Sequence, residues 1–473
     1  MERKLNRLVN GMLTKNTLTE NYMPTHTTSS SHCLDWFGCV GSVRAWSNVA
    51  ITSLFTKALE EDPLVAMRIL FWARDIRGGS GERRVFRICI DFLNRSPVYR
   101  SFLDKNIHLI PEYGRWDDLF EVENHLVLPL IAEGLASKDG LLAKWLPRKG
   151  VFANKVRNFL RLSPKDYRQK IVGLSKTVEQ LMCSKQWGTI KYEQVPSIAM
   201  NKYRKAFFRN DDVRFKSYIE SVVKGETTIK AGVLYPYDLY IAWKRGEDRN
   251  AVEAQWKNLP NFMQDCKYRL LPMCDVSGSM NSLISTKNKT LTAMAVSVSL
   301  GIYISERNEG PFKDCFLTFS SKPTLQQLKG SFSDRCGQLL KAHWEMNTNL
   351  EATFSYLLRT AIANKITEDE MPNAILILSD MQFDSCVCRF DLSALEMIKQ
   401  QYAEAGYNVP KVVFWNINAR VDQMPVKHND VGVAIVSGCS PSILKSLLSG
   451  DIPDPVSIML DTVMSERYEK ITI

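Results

Sequence analysis

At Leu270 the chain turns apolar for five residues, Leu270-Leu271-Pro272-Met273-Cys274, and stops at Asp275-Val276-Ser277-Gly278-Ser279-Met280. A short apolar run bounded by turn residues predicts a strand buried on both faces. Such a strand needs helices above and below it, so this stretch commits the C-terminal part of the chain to a layered α/β architecture. The residues that end it also carry chemistry. An acid followed by hydroxyls at alternate positions offers small oxygen ligands from one turn, and Gly278 lets that turn close. Mg²⁺ asks for oxygens in near-octahedral geometry, keeps several waters and takes few direct protein ligands. Ser277 and Ser279 can reach such an ion directly, while Asp275 supplies charge through a bound water. Asp and Ser are equally ordinary turn residues, so context has to separate a turn from a site.

Beyond Met280 the pattern alternates. Leu291–Ile304, Leu350–Ala363, Leu392–Ala403 and Pro441–Leu448 have helical period, and Cys315–Phe319, Ala374–Leu378, Val412–Trp415 and Val433–Val436 read as strands. This predicts a doubly wound, mostly parallel sheet, in which ligands sit at the carboxyl ends of the strands. Two further loops fall at that edge: Glu345-Met346-Asn347-Thr348-Asn349, and Ser379-Asp380 after Ile375-Leu376-Ile377-Leu378. Taken singly, Thr348 is a helix N-cap and Asp380 a turn acid. Taken in order, Asp275, Ser277, Ser279, Thr348 and Asp380 can converge on one divalent cation, Mg²⁺ or a similar ion.

The preceding chain is of another kind. Residues 1–33 include the hydroxyl-rich run Thr25-His26-Thr27-Thr28-Ser29-Ser30-Ser31 and read as an extended arm without chemistry. Residues 34–263 have helical period, with Leu64, Met67, Leu70 and Phe71 on one face of a first helix and Val85, Ile88, Cys89 and Phe92 on that of a second. Such pairs stack into solenoid-like arrays. No fixed repeat period is present, so an irregular helical array is expected. Ser163-Pro164 is an N-cap followed by Pro at the first helical position, opening a helix that carries Tyr167, Ile171, Leu174, Val178 and Leu181 inward.

Charge divides at the same place. Residues 1–270 hold 43 Lys and Arg against 29 Asp and Glu, and residues 271–473 hold 18 against 22. A basic half suits phosphates and a mildly acidic half suits a cation. Within the basic half, Arg77-Gly78-Gly79-Ser80-Gly81-Glu82-Arg83-Arg84 joins glycine-freed amides at a helix start to arginines, a pattern that fits an anion as well as a plain turn. It lacks the Lys-Ser/Thr ending of a nucleotide-binding loop. Lys144, Arg148, Lys149, Lys155 and Arg157 interleave with Trp145, Phe152 and Phe159, and Lys202, Arg204, Lys205 and Arg209 with Tyr203, Phe207 and Phe208. Aromatics among cations can stack unpaired bases while the cations hold phosphates. A solvated helix face over a core stripe has the same spacing.

Eleven cysteines without framework spacing argue for reduced thiols, and Cys386 and Cys388 lack a second pair for zinc. No apolar run reaches the length of a bilayer span, and the first residues lack the apolar core of a secretory signal. A cytoplasmic protein is expected.

The C-terminal half resembles a von Willebrand factor A domain with a metal-ion-dependent adhesion site, matched by Asp275, Ser277, Ser279, Thr348 and Asp380. A basic helical half followed by such a domain resembles the Ro autoantigen (TROVE) architecture. Thr19-Glu20-Asn21, Leu34-Asp35-Trp36-Phe37, Arg77-Gly78-Gly79, Tyr113-Gly114-Arg115-Trp116 and Lys144-Trp145-Leu146-Pro147 are similar to an uncharacterised family of this layout in plants and viruses. The resemblance implies RNA binding by the helical half, and an ion with a vacant position that a partner's carboxylate can fill. The expected organisation is an arm (1–33), a basic helical array (34–263) and an A-type α/β domain (264–473). The expected function is a non-enzymatic RNA-binding ribonucleoprotein component that docks a protein partner through its metal. A protein-interaction adaptor without nucleic-acid binding is the alternative. A metal-dependent hydrolase fits poorly, because Asp275 and Asp380 come without an evident nucleophile, general base or second metal.

Overall fold

The computed structural model describes residues 16–224, 226–227, 234–285, 290–318, 323–341, 348–384, 394–420, 423–448 and 450–473. A two-stranded antiparallel hairpin, β1 (Asn16–Leu18) and β2 (Pro24–His26), leads into helices that run to residue 257. The sheet comes next: β3 (Leu270–Cys274), β4 (Cys315–Thr318), β5 (Thr324–Gln327), β6 (Ala374–Ser379), β7 (Lys411–Asn416) and β8 (Val433–Ser437). Its order is β5-β4-β3-β6-β7-β8, parallel throughout except for β5, which pairs antiparallel with β4 at the edge.

Every residue of β3, β4, β6 and β8 is buried, as continuous apolar strands require. Pro272 lies in a central strand, where a missing N–H would normally break a ladder. Here β3 pairs with β6 over its whole length, but with β4 only from Met273 onward, the residue after the proline. The order of the strands reverses between β3 and β6. The crevice at such a reversal is where open α/β sheets take ligands, and Asp275 and Asp380 come directly after these two strands.

The expected strands lie within a residue of the observed ones, and Phe319 falls outside the described residues. Strand β5 and the helices Phe332–Lys341 and Pro455–Val463 are additions that the hydrophobic pattern does not predict. Strand β5 carries one apolar residue, Leu325, on an exposed edge, so no periodicity marks it. The helix opened by Ser163-Pro164 ends at Ser175, because Lys176 adopts a left-handed backbone (φ 38°) and Thr177 caps a new helix, Val178–Cys183. Val178 and Leu181 therefore serve a different core from Tyr167 and Ile171.

The two halves are interlocked. Residues of the helical region from Met23 to Ile171 and from Leu234 to Met263 belong to one continuous core with the sheet. The helix His32–Cys39 packs on β8, where a Cβ at Gly38 would meet the Ile435 side chain at 3.1 Å and Ser437 Oγ donates to Phe37 O at 2.8 Å. The C-terminal residues cross back the other way: Tyr113 stacks on Tyr468 at 5.6 Å, and Asn106 pairs with the backbone of Thr472. A second, smaller core lies apart, built from Ile190, Tyr192, Met200, Phe207, Phe215 and their neighbours.

The arm is also more than extended chain from residue 16 onward. Its hydroxyls are held by carboxylates of the first helices: Ser29 Oγ donates to Asp35 Oδ1 at 2.6 Å and Ser31 Oγ to Glu61 Oε1 at 2.7 Å. Hydrogen bonding of this kind leaves no hydrophobic period to read. No helix among the described residues is long and apolar enough to cross a membrane.

Candidate metal centre and basic surface

The carboxyl ends of β3 and β6 bring two acids together at full burial. Asp275 accepts the backbone N–H of Ser277 at 2.9 Å and the hydroxyl of Ser379 at 2.6 Å. Ser277 and Ser279 come next in the turn with their hydroxyl oxygens 2.9 Å apart. Asp380 accepts the Gln382 N–H at 3.3 Å through one oxygen, while its buried Oδ2 has no hydrogen-bond donor among the described residues. Arg420 is its ion-pair neighbour, with Nε 3.6 Å from Oδ2. Burial, and then the neighbouring Asp380, push the Asp275 carboxyl well above the usual range. Burial also raises Asp380, against the opposing pull of the Ser279 hydroxyl and Arg420.

Thr348 reaches the same edge from the start of the helix Leu350–Asn364, whose N-cap is Asn349 rather than Thr348. It is buried, and Asp384 fixes it by accepting its backbone N–H at 2.6 Å and its hydroxyl at 3.3 Å. All five residues expected at the site thus lie on the switch-point edge. Glu345, Met346 and Asn347 of the same loop fall outside the described residues.

This donor set fits a hard divalent cation. It consists of two carboxylates and three hydroxyls, all oxygen, and it contains a buried carboxylate oxygen that no donor among the described residues satisfies. Ser277, Ser279 and Thr348 are the direct donors such an ion would use, with Asp275 and Asp380 supplying charge. Four supporting residues were not expected from the sequence: Ser379, Gln382, Asp384 and Arg420. Of these, Asp384 stands nearest in sequence to Asp380, four residues on, but its partner Thr348 is 36 residues away, so the pairing leaves no local signal.

The basic candidates divide into those held by the fold and those left to solvent. Arg204 is buried and bonded to Asn201 at 2.7 Å, Gln255 at 3.2 Å and Glu247 at 3.4 Å, so it joins two helices rather than meeting a ligand. Arg83 pairs with Asp117 and Asp118. Arg84 donates to Arg44 O at 2.9 Å and Asn48 Oδ1 at 3.0 Å, whereas Arg77 donates to Glu112 O at 2.9 Å and stays exposed to solvent. Much of the glycine loop's donor set is used within the protein. The amides at Arg77, Ser80, Gly81 and Glu82 already donate to protein oxygens, and Glu82 caps the helix that begins at Arg84. Gly79 is required by close approach, since a Cβ there would meet Trp72 O at 1.9 Å.

Lys144, Arg148, Lys149, Lys202, Lys205 and Arg209 are at least partly open to solvent, as is Lys155 beside Glu123, and Arg157 is half-buried. Lys144 and Arg115 flank the Trp145 ring at 5.9 and 5.1 Å, and Lys202 lies 5.0 Å from that of Tyr203. Phe207 is core and Phe159 is exposed. The charge is more concentrated than the division at Leu270 suggests. Residues 138–224 carry 20 Lys and Arg against 7 Asp and Glu, whereas residues 1–137 are balanced at 16 each. This segment includes most of the smaller core, and a cleft of about 580 Å³ bordered by Lys144, Lys176 and Lys191 separates its two groups of helices.

Residues 270–470 match a domain of unknown function designated DUF7788, and residues 19–97 and 125–267 match another, DUF2828. The two matches meet where β3 begins. An uncharacterized protein, L728 of Acanthamoeba polyphaga mimivirus, is 29% identical over 507 residues, covering 93% of this chain and 86% of the relative.

Proposed function

We propose that the chain is a non-enzymatic RNA-binding protein whose α/β half docks a protein partner through a bound divalent cation. The observation that supports the docking half is that Asp275, Ser277, Ser279, Thr348 and Asp380 lie at the switch-point edge of the sheet, where Asp380 Oδ2 has no hydrogen-bond donor among the described residues. On this reading the α/β half is a von Willebrand factor A-type domain, and the whole has a TROVE-like layout. The ion supplies a Lewis-acidic position for a partner's carboxylate. The chain's own part is to hold the hydroxyls and acids in register through Ser379 and Asp384.

RNA binding by the other half is supported by the positive excess of residues 138–224, with exposed cations set beside Trp145 and Tyr203. Phosphate contacts make affinity fall steeply with salt. In gel-shift titrations at two salt concentrations, a single-stranded and a structured RNA should bind at low salt and weaken at high salt. An absence of binding at low salt contradicts this part. The competing reading, an adaptor that binds only proteins, would then stand. Pull-downs with and without chelator test the docking half, since a metal-bridged partner is lost when Mg²⁺ is removed. Phosphatase or nuclease turnover that disappears in Asp275→Ala would contradict the non-enzymatic assignment.

A further inference from the structure

The turn Thr19-Glu20-Asn21 is tied to the loop after β6 on both sides of Glu20. Thr19 Oγ1 donates to Phe383 O at 2.7 Å, and the Glu20 backbone N–H to Gln382 Oε1 at 2.8 Å. Asn21 Nδ2 donates to Gln382 O at 3.0 Å and to the hydroxyl of Thr348 at 3.3 Å. The hairpin behind the turn is strapped to the same half: His26 exchanges both backbone hydrogen bonds with Met424, and Thr25 Oγ1 donates to Met424 O at 2.9 Å. The chain therefore holds Glu20 next to Asn21, which itself touches a hydroxyl expected to bind the ion.

The Glu20 carboxylate meets Arg420 at 2.8 Å. The same guanidinium stands 3.6 Å from the unsatisfied Oδ2 of Asp380 and donates to Ser279 O at 3.4 Å. One cation is thus shared between an arm carboxylate and a site carboxylate, next to the hydroxyl turn. A divalent ion among the same groups would take over that sharing, and Arg420 is partly exposed, with solvent to receive it. Asp384 is the other nearby acid, but it is committed to the N–H and hydroxyl of Thr348.

We propose that Glu20 is a ligand of the metal site, a carboxylate the N-terminal arm supplies to the coordination position that would otherwise be open to a partner. This rests on the metal reading above. It makes the arm a competitor built into the chain: an acidic side chain from a partner has to displace Glu20 to dock. The arm is then part of the docking apparatus rather than a tether.

The test uses the full chain with Mn²⁺ alone, followed by calorimetry and by water-proton relaxation, which counts exchangeable waters on the bound ion. Glu20→Ala and Glu20→Gln should each weaken Mn²⁺ by about tenfold and raise the relaxation enhancement per bound ion, because water takes the vacated position. Arg420→Ala should tighten Mn²⁺, since it removes a competing cation from Asp380. The Glu20 side chain is exposed, so its variants should unfold at the wild-type temperature in chelator, which separates lost ligation from lost fold. Wild-type Mn²⁺ affinity and relaxation in both Glu20 variants would overturn the inference and leave the metal site standing. Absence of Mn²⁺ binding by the wild type would overturn both.

Discussion

Ser379 Oγ donates to Asp275 Oδ2 at 2.6 Å, tying the end of β6 to the end of β3 with both groups fully buried. Removing the hydroxyl leaves a buried carboxylate oxygen without a donor, a change that costs about 1–3 kcal/mol. Ser379→Ala should therefore lower the unfolding temperature in chelator. Saturating Mg²⁺ should restore part of the loss, because a ligand that binds only the folded state stabilises it. Thermal unfolding with and without Mg²⁺ reads both effects.

Exposed and inward-facing cations of one helix should behave oppositely. Lys202, Lys205 and Arg209 project from Ser197–Asn210 toward solvent, whereas Arg204 is buried. Lys202→Glu with Lys205→Glu should weaken RNA binding by about tenfold or more and flatten its salt dependence, with unchanged stability. Arg204→Ala should instead destabilise the fold by about 2–4 kcal/mol, because Glu247 and Gln255 lose their partner. Binding isotherms at several salt concentrations, paired with urea unfolding, separate the two.

Asp238 gives a pH prediction away from the site. Burial raises its carboxyl from 3.8 to about 6, although it accepts the Tyr235 N–H at 2.9 Å. The folded state therefore keeps a proton that the unfolded chain releases. Its contribution to stability is full below about pH 4, declines as pH rises toward 6, and is flat above. Asp238→Asn keeps an acceptor for Tyr235 and removes the ionisation. It should raise stability at pH 7.5 by about 1–2 kcal/mol and flatten the slope between about pH 4 and 6, as read by denaturant unfolding.

Trp256 joins the helical region to the sheet. It is fully buried, stacks on Phe332 at 3.9 Å, donates to Glu306 at 2.6 Å and lies under the Arg307 guanidinium. Trp256→Ala should cost about 3–5 kcal/mol. Since one core runs through both halves, the loss should appear as a shift of a shared unfolding transition. Calorimetry with two well-separated transitions in the wild type would contradict this coupling.

The site was legible in the sequence to the extent that covalent proximity carries it. Asp275, Ser277 and Ser279 share one turn, and Asp380 directly ends a strand whose apolar run is unmistakable. The groups that sit over them could not be read, because Glu20 and Arg420 are separated by 400 residues and meet only through the hairpin's docking. The same holds for the arm's hydroxyls, whose carboxylate partners Asp35 and Glu61 leave no periodic trace. In the sequence Arg204 falls among the ligand-facing cations for a related reason. Its charge matches its neighbours Lys202 and Lys205, and only the helix Arg249–Lys257 packed against it turns it into an interior residue. The glycine loop does mark a place of close approach, that of Gly79 to the backbone of Trp72.

Docking through the α/β half depends on a metal ion at the switch-point edge. Calorimetric titration of the chain with Mg²⁺, beside Asp275→Ala and Asp380→Ala, measures this directly. One Mg²⁺ per wild-type chain, with binding lost in both variants, is the predicted result. No Mg²⁺ or Mn²⁺ uptake by the wild type, or uptake unchanged in both variants, would contradict it.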